Sequence, residues 1–367
     1  MLLIEDFEVH KLTLPLGRVV GDNNCSYEVI NVVAVALRTN HGHLGWGYSE
    51  SAWKGKFKHS AWYVRELPDV AVIEADFRNT WWKKLYNKSS FDLEQERTSF
   101  TSGFNHLDAA VRLALWDLMA QERNVPLYQL LNPGTKKQEA LAYGSILDFP
   151  LSDKDVLDLT EKFLTDGFGI IKVKLGADDV ERDLRRLKLI QSYAGTAIRL
   201  TADANEVWDW QTALKRIETY LSNGVALEYM EDPLRRDDVQ GFVELTKRSP
   251  IPIIGHDYVN NIDDLRALVE VGGLQGLRTG KDIDYALASI ALAKSANIPV
   301  YLGNSMFEIN AHLALAFDEV NRTEFSYLAT NDILEQPISF KKGFIQRPDV
   351  IGHGLSPMLH KLTEFSL

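Results

Sequence analysis

Four short segments carry side chains able to bind a metal or move a proton: Lys172-Val173-Lys174, Asp203-Ala204-Asn205, Glu231-Asp232-Pro233 and Gly255-His256-Asp257. Each follows the last by roughly 22 to 31 residues, the length of one strand, one helix and two loops in a βα unit. Each also closes an apolar strand-like run, so the polar groups recur at the same end of consecutive parallel strands. In a closed barrel those ends converge on one place.

Asp203 and Glu231 offer the oxygen-rich environment that suits Mg²⁺, an ion that keeps open positions for waters and substrate oxygens. The third ligand is open between two neighbours. Strand direction favours His256 as the inward residue, whereas a hard ion favours Asp257. A set of Asp, Glu and His would shift the preference toward Mn²⁺ or Fe²⁺. Lys172 and Lys174 stand two apart on a strand and therefore share a face. Burying two unpartnered ammonium groups against helices is prohibitively costly, so that face is the barrel interior. Lys174 is expected to be the base and Lys172 its electrostatic neighbour. A lysine with a pKa near 10.4 needs a drop of roughly three units to work at neutral pH, and a like charge or a metal supplies one.

The elements that must position these groups follow from patterning. The first 50 residues read as β, with a β-branched run at Val29–Leu37, and His41 and His43 sit in a turn. Residues from about 60 to 132 read as helical; Leu107, Ala110, Val111, Ala114, Leu115 and Leu118 form one stripe. From Ala140 strand and helix alternate. Strands are expected at Ala140–Ile146, Gly169–Leu175, Ala197–Ala202, Val225–Met230, Ile251–Gly255, Leu274–Thr279, Val300–Gly303 and Phe325–Ala329. Asp178 is expected to cap the helix after the second. The fold class is α/β, a TIM-like barrel with an α+β capping domain. Expected boundaries are 1–133 for the cap, 134–330 for the barrel and 331–367 for a C-terminal segment, with a short hairpin around 340–345 lying outside the barrel.

Composition sets limits. A net charge of -11 over 367 residues argues against a general nucleic-acid or acidic-membrane binder. One cysteine, Cys25, excludes an internal disulfide framework and points to a reducing compartment. No run of about 18 apolar residues appears, and Glu5 and Asp6 interrupt the opening run too early for a signal peptide, so the expected place is the cytoplasm.

The segments GIIKVKLG, TADANEVW, LEYMEDP and IPIIGHD, with LDAAVRLALWDL, PLYQLL and KKGFIQRPDVIGHGLS, together resemble the enolase superfamily in its mandelate racemase/muconate lactonizing enzyme branch. The resemblance spans almost the whole chain. It implies a modified (β/α)7β barrel capped by the two chain ends, and Mg²⁺-assisted removal of the proton α to a carboxylate. In that chemistry the metal stabilises the enediolate and a lysine takes the proton. It also implies a small carboxylate substrate and a homo-oligomer, dimer or octamer.

Departures from the family pattern shape the expected reaction. His256 stands in a slot normally Asp or Glu, Arg278 where a second Lys or a dyad Asp is usual, and Asn304 where a dyad His would be. Arginine stays protonated and is a poor base. Glu308 matches a family glutamate but could equally cap the next helix. With one evident base, racemisation is disfavoured, and dehydration of an aldonate or aldarate to a 2-keto-3-deoxy acid leads. An epimerase or cycloisomerase, and a catalytically inactive binding relative, are the alternatives. Arg278 and Asn304 would hold substrate polar groups. So would Asn205, Lys281 and the candidate lid residues Asn24, Trp53 and Lys54.

Overall fold

The structure is a computed structural model that describes residues 1–57, 67–147, 149–256, 261–280 and 282–366. Three antiparallel strands open the chain: β1 (Ile4–Gly21), β2 (Cys25–Thr39) and β3 (Leu44–Phe57). The run Val32–Leu37 of β2 is buried throughout because both faces are covered. Val32, Ala34 and Ala36 belong to a core shared with the barrel, whereas Val33, Val35 and Leu37 pack on the cap helices. Those helices are α1 (Val70–Asn79), α2 (Trp82–Leu85), α3 (Glu94–Ser99), α4 (Asn105–Arg123) and α5 (Leu127–Leu131).

The stripe read from sequence on α4 is buried in full. β3 lies so close to α4 that a Cβ on Gly47 would stand 1.8 Å from the Ala110 carbonyl oxygen, so no larger residue fits there.

The second half alternates: β4 (Glu139–Ser145), α6 (Asp153–Thr165), β5 (Ile170–Lys174), α7 (Val180–Ala194), β6 (Arg199–Asp203), α8 (Trp210–Ser222), β7 (Leu227–Glu231) and α9 (Val239–Arg248). It continues with β8 (Ile253–Gly255), α10 (Ile262–Glu270), β9 (Gly276–Thr279), α11 (Ile283–Ala296), β10 (Val300–Leu302), α12 (Asn310–Ala316) and β11 (Val320–Phe325). Successive strands from β4 to β11 pair in parallel, and β11 returns to β4 to close an eight-stranded barrel. Side-chain caps start its helices: Ser152, Asp179, Asp209, Asp238, Asn261 and Asp282 each accept from a backbone N–H of the first turn.

Three expectations are corrected. The helix after β5 is capped by Asp179, one residue beyond Asp178. The eighth strand runs from Val320 to Phe325, not from Phe325 to Ala329, because α12 is only seven residues long and the chain re-enters the barrel early. The C-terminal hairpin, β12 (Phe340–Lys341) and β13 (Phe344–Gln346), does not stand apart, since β13 pairs with the start of β4.

After that hairpin the chain returns to the cap, where α13 (Leu359–Phe365) ends against β1 through the Leu12–Ser366 bridge. Asp117 on α4 ties three pieces together, accepting from Trp46 N at 3.1 Å, Gln121 Nε2 at 3.0 Å and His353 N at 2.8 Å. No helix among the described residues is long and apolar enough to cross a membrane.

Candidate active site

Strand register brings the chemistry together. Lys174 on β5 pairs with Asp203 on β6, and Asp203 pairs with Glu231 on β7, so three charged residues line up across the barrel mouth. The chain then leaves these strands through left-handed turns: Asn205 at φ 51°, Asp232 at φ 43° and, after β10, Glu308 at φ 61°. Such angles are costly for residues with a Cβ and cluster where function demands a fixed geometry.

Lys172 and Lys174 both point into the barrel and are 1% and 7% exposed. Each is held by carboxylates. Lys172 Nζ donates to Asp203 Oδ2 at 3.2 Å, Glu231 Oε1 at 2.9 Å and Glu324 Oε2 at 3.0 Å. Lys174 Nζ donates to Asp203 Oδ2 at 2.5 Å and Asn205 Oδ1 at 3.1 Å. Arg278, on β9 across the barrel from β5, forms an ion pair with Glu231 (Nε to Oε1 2.9 Å) and donates hydrogen bonds to Glu324 and, at 2.9 Å, to the Tyr143 hydroxyl. Asn304 donates to Glu324 Oε1 at 3.2 Å. These groups open onto a cavity of about 120 Å³ whose lining also includes Asp22, Tyr27, Glu50 and Glu308.

The expected depression of the lysine pKa values is reversed by the protein groups themselves. Burial pulls both down, and Arg278 and Lys172 add to that pull on Lys172 and Lys174 respectively. The nearby carboxylates, Asp203 foremost for Lys174, outweigh these effects and leave both above the ordinary value. Asp203 is held well below the usual range: burial opposes ionisation, but Lys174 and Lys172 overcome it. Glu231 is pushed up to about 8 by burial, which Arg278 and Lys172 only partly offset.

Asp203, Glu231 and Asp232 bring one oxygen each within 4.8 Å of one another, a cluster that could bind a metal ion. Glu231 Oε2 is buried with no hydrogen-bond partner among the described residues, so one lone pair of this set is unspent. Three buried carboxylates suit a hard divalent ion. A cation held there would oppose the pull of Asp203 on Lys174 and so lower its pKa.

His256 faces elsewhere. Its Nε2 lies 3.2 Å from Glu206 Oε1 and 3.3 Å from the Leu234 carbonyl oxygen, and its Nδ1 lies 3.6 Å from Asp232 Oδ1. It therefore stands behind Asp232 and outside the carboxylate cluster. Asp257 and Lys281 lie outside the described residues, and Trp53 and Lys54 belong to β3. Asn24 sits in the β1–β2 turn and donates to the Asn205 carbonyl at 2.6 Å, docking the cap onto the end of β6. Glu308 does not cap α12, whose start bears no side-chain cap; it is buried at the cavity wall.

Sequence reasoning misses Glu324 and Tyr143, and it names Asp232 and Asp22 only as members of the Glu-Asp-Pro segment and the lid loop 20–24. Glu324 was hidden because the polar run Val320-Asn321-Arg322-Thr323-Glu324 does not look like a strand; the short spacing after β10 was the available signal. Asp232 was visible within Glu-Asp-Pro but followed the expected ligand directly. Tyr143 and Asp22 become site residues only through tertiary contact.

Comparison with known proteins agrees with this geometry. Residues 155–361 match a family model described as enolase C-terminal domain-like. The chain is 26% identical over 339 residues to a D-Ala-D/L-Ala epimerase of Cytophaga hutchinsonii, covering 88% of each protein. It superposes on a crystal structure from Mesorhizobium loti, provisionally named a mandelate racemase, with TM-score 0.90 and 28% identity, covering 100% of this chain and 95% of that one. An L-talarate/galactarate dehydratase from Salmonella typhimurium LT2, liganded with Mg and L-lyxarohydroxamate, shares the fold at TM-score 0.84 and 19% identity, over 99% of this chain and 93% of that one.

Proposed function

Because the chain belongs to the enolase superfamily, in its mandelate racemase/muconate lactonizing enzyme branch, we propose that it abstracts the proton α to a carboxylate and completes the reaction as an acid-sugar dehydratase. Mg²⁺ held by Asp203, Glu231 and Asp232, the ion present in the dehydratase neighbour, would supply Lewis-acid stabilisation of the enediolate. Lys174 takes the proton, and Lys172 balances the charge of Asp203, Glu231 and Glu324.

The carrying observation is the position of Arg278. It is clamped between Glu231, Glu324 and Tyr143 on β9, the strand across the barrel from β5, where the family pattern sets a second titratable group. A guanidinium stays protonated, so that face binds but does not deprotonate. One acid–base residue suffices for elimination: Lys174 takes the α-proton and returns it to the departing β-hydroxyl, which leaves as water. The product of β-elimination of water from an aldonate is an enol that ketonises to a 2-keto-3-deoxy acid.

Incubation with Mg²⁺ and a panel of aldonic and aldaric acids should yield a 2-keto acid. Enolisation without elimination, seen as solvent deuterium entering unreacted acid at Cα, would instead support an isomerase. The likeness to a D-Ala-D/L-Ala epimerase favours that second reading.

A further inference from the structure

We propose that Arg182 and Asp183, on the first turn of α7, are positioning residues that hold the end of β5 and so fix where Lys174 presents its ammonium. The proposal rests on the reading above only in taking Lys174 as the group whose place matters to the reaction.

The strand ladder leaves a gap that needs filling. Gly144 and Ser145 of β4 pair with Ile171 and Lys172 of β5, and β4 ends there. Lys174, two residues further along, has its ladder partner among the described residues on the β6 side, in Asp203. On that same side Leu175 N donates to the Asp203 carbonyl oxygen at 2.9 Å. A strand end paired along one edge can shift toward the other, and the lysine side chain would carry that shift into the barrel mouth. A misplacement of about 1 Å at a reacting group costs about 100-fold in rate.

Helix α7 takes over where β4 stops. Asp183 Oδ2 accepts from the backbone N–H groups of Gly176 at 2.9 Å and Ala177 at 3.1 Å, and from the Tyr220 hydroxyl of α8 at 3.3 Å. Its Oδ1 accepts from Arg182 Nη1 at 3.1 Å, and the same nitrogen lies 3.5 Å from the Lys174 carbonyl oxygen. Arg182 Nη2 donates to the Phe149 carbonyl oxygen at 2.9 Å, so one guanidinium ties the end of β5 to the loop that leaves β4. Asp183 is fully buried, on the face of α7 that carries Leu187 and Ile190. An apolar residue would pack there without the cost of burying a carboxyl group, but the two loop amides would lose their acceptor. Asp183 therefore serves the loop rather than the helix core.

The test reads Lys174 directly. Trace labelling with acetic anhydride, resolved by mass spectrometry, compares Lys174 with Lys172, which keeps its β4 partner Ser145, and with the exposed Lys294. Asp183→Ala should raise labelling of Lys174 by about fivefold over Lys172 and Lys294, because the opening is local, with the far-UV circular dichroism retained. Asp183→Asn keeps an acceptor oxygen for the loop amides and should stay within about twofold of the parent. Arg182 is partly exposed, so Arg182→Ala decides the matter if Asp183→Ala does not fold, and it should show the same selective rise. An unchanged ratio of Lys174 to Lys172, an equal rise at both, or a rise in Asp183→Asn as large as in Asp183→Ala would overturn the proposal. Turnover is scored separately, on an aldonate that the parent converts: kcat should fall by about tenfold or more in Asp183→Ala, with KM within about twofold. Selective labelling with kcat unchanged would remove Lys174 from the chemistry and leave its positioning by α7 intact.

Discussion

Lys172 Nζ and Arg278 Nε each lie 2.9 Å from the same oxygen, Glu231 Oε1. Two cations from β5 and β9 thus share one carboxylate from β7, while Glu231 Oε2 has no hydrogen-bond partner among the described residues. One side of Glu231 is committed to the protein and the other is available to an ion.

Asp203→Asn or Glu231→Gln should weaken Mg²⁺ binding by more than about 100-fold, since changes in outer-shell partners alone cost 10- to 100-fold. Calorimetric titration checks it. Unchanged affinity in both variants would place the ion elsewhere.

Lys174→Ala should lower kcat by about 10²- to 10⁴-fold, the usual contribution of a positioned base. Lys172 still faces Asp203, so the far-UV circular dichroism should be retained. Full activity in this variant would remove Lys174 from the mechanism.

Glu308 gives a pH signature. Burial first, then Glu324 and Glu50, raise its pKa well above the ordinary 4.5, so the folded protein keeps a proton that the unfolded chain releases. Stability then falls as pH rises above 4.5, because the folded state binds more protons in that range. Glu308→Gln should therefore be more stable than the parent at pH 8, with the advantage shrinking toward pH 4. Tm measured at both pH values tests this, and a pH-independent difference would refute it.

Asp117→Ala should destabilise the fold by about 3 kcal/mol, because it strands buried donors from β3, α4 and the C-terminal segment at once. Urea unfolding provides the measurement. A loss under about 1 kcal/mol would mean that solvent reaches these donors.

The periodic recurrence of polar groups after apolar strands was enough to foresee a barrel and to bring Lys172, Lys174, Asp203 and Glu231 to one mouth. Strand alternation and unit length are local properties, and local sequence carries them. The stripe on α4 was legible for the same reason, as side chains three and four apart share a helix face. Position 278 showed by residue type alone that no ordinary base stands there.

Tertiary structure decided the rest. Whether His256 faces the carboxylate cluster or Glu206 depends on how the chain turns after β8, and no periodicity encodes that. The lysine pKa values depend on the opposing fields of burial and three carboxylates drawn from β6, β7 and β11. Glu324 entered the site because a short α12 advanced the eighth strand. Asp22 reached it because the cap turn docks on Asn205, about 180 residues away in sequence. Residue types and spacing bring Lys172, Lys174, Asp203 and Glu231 to the barrel mouth; the fold adds Glu324 and Asp22, and distances through a low-dielectric interior set what each can do there.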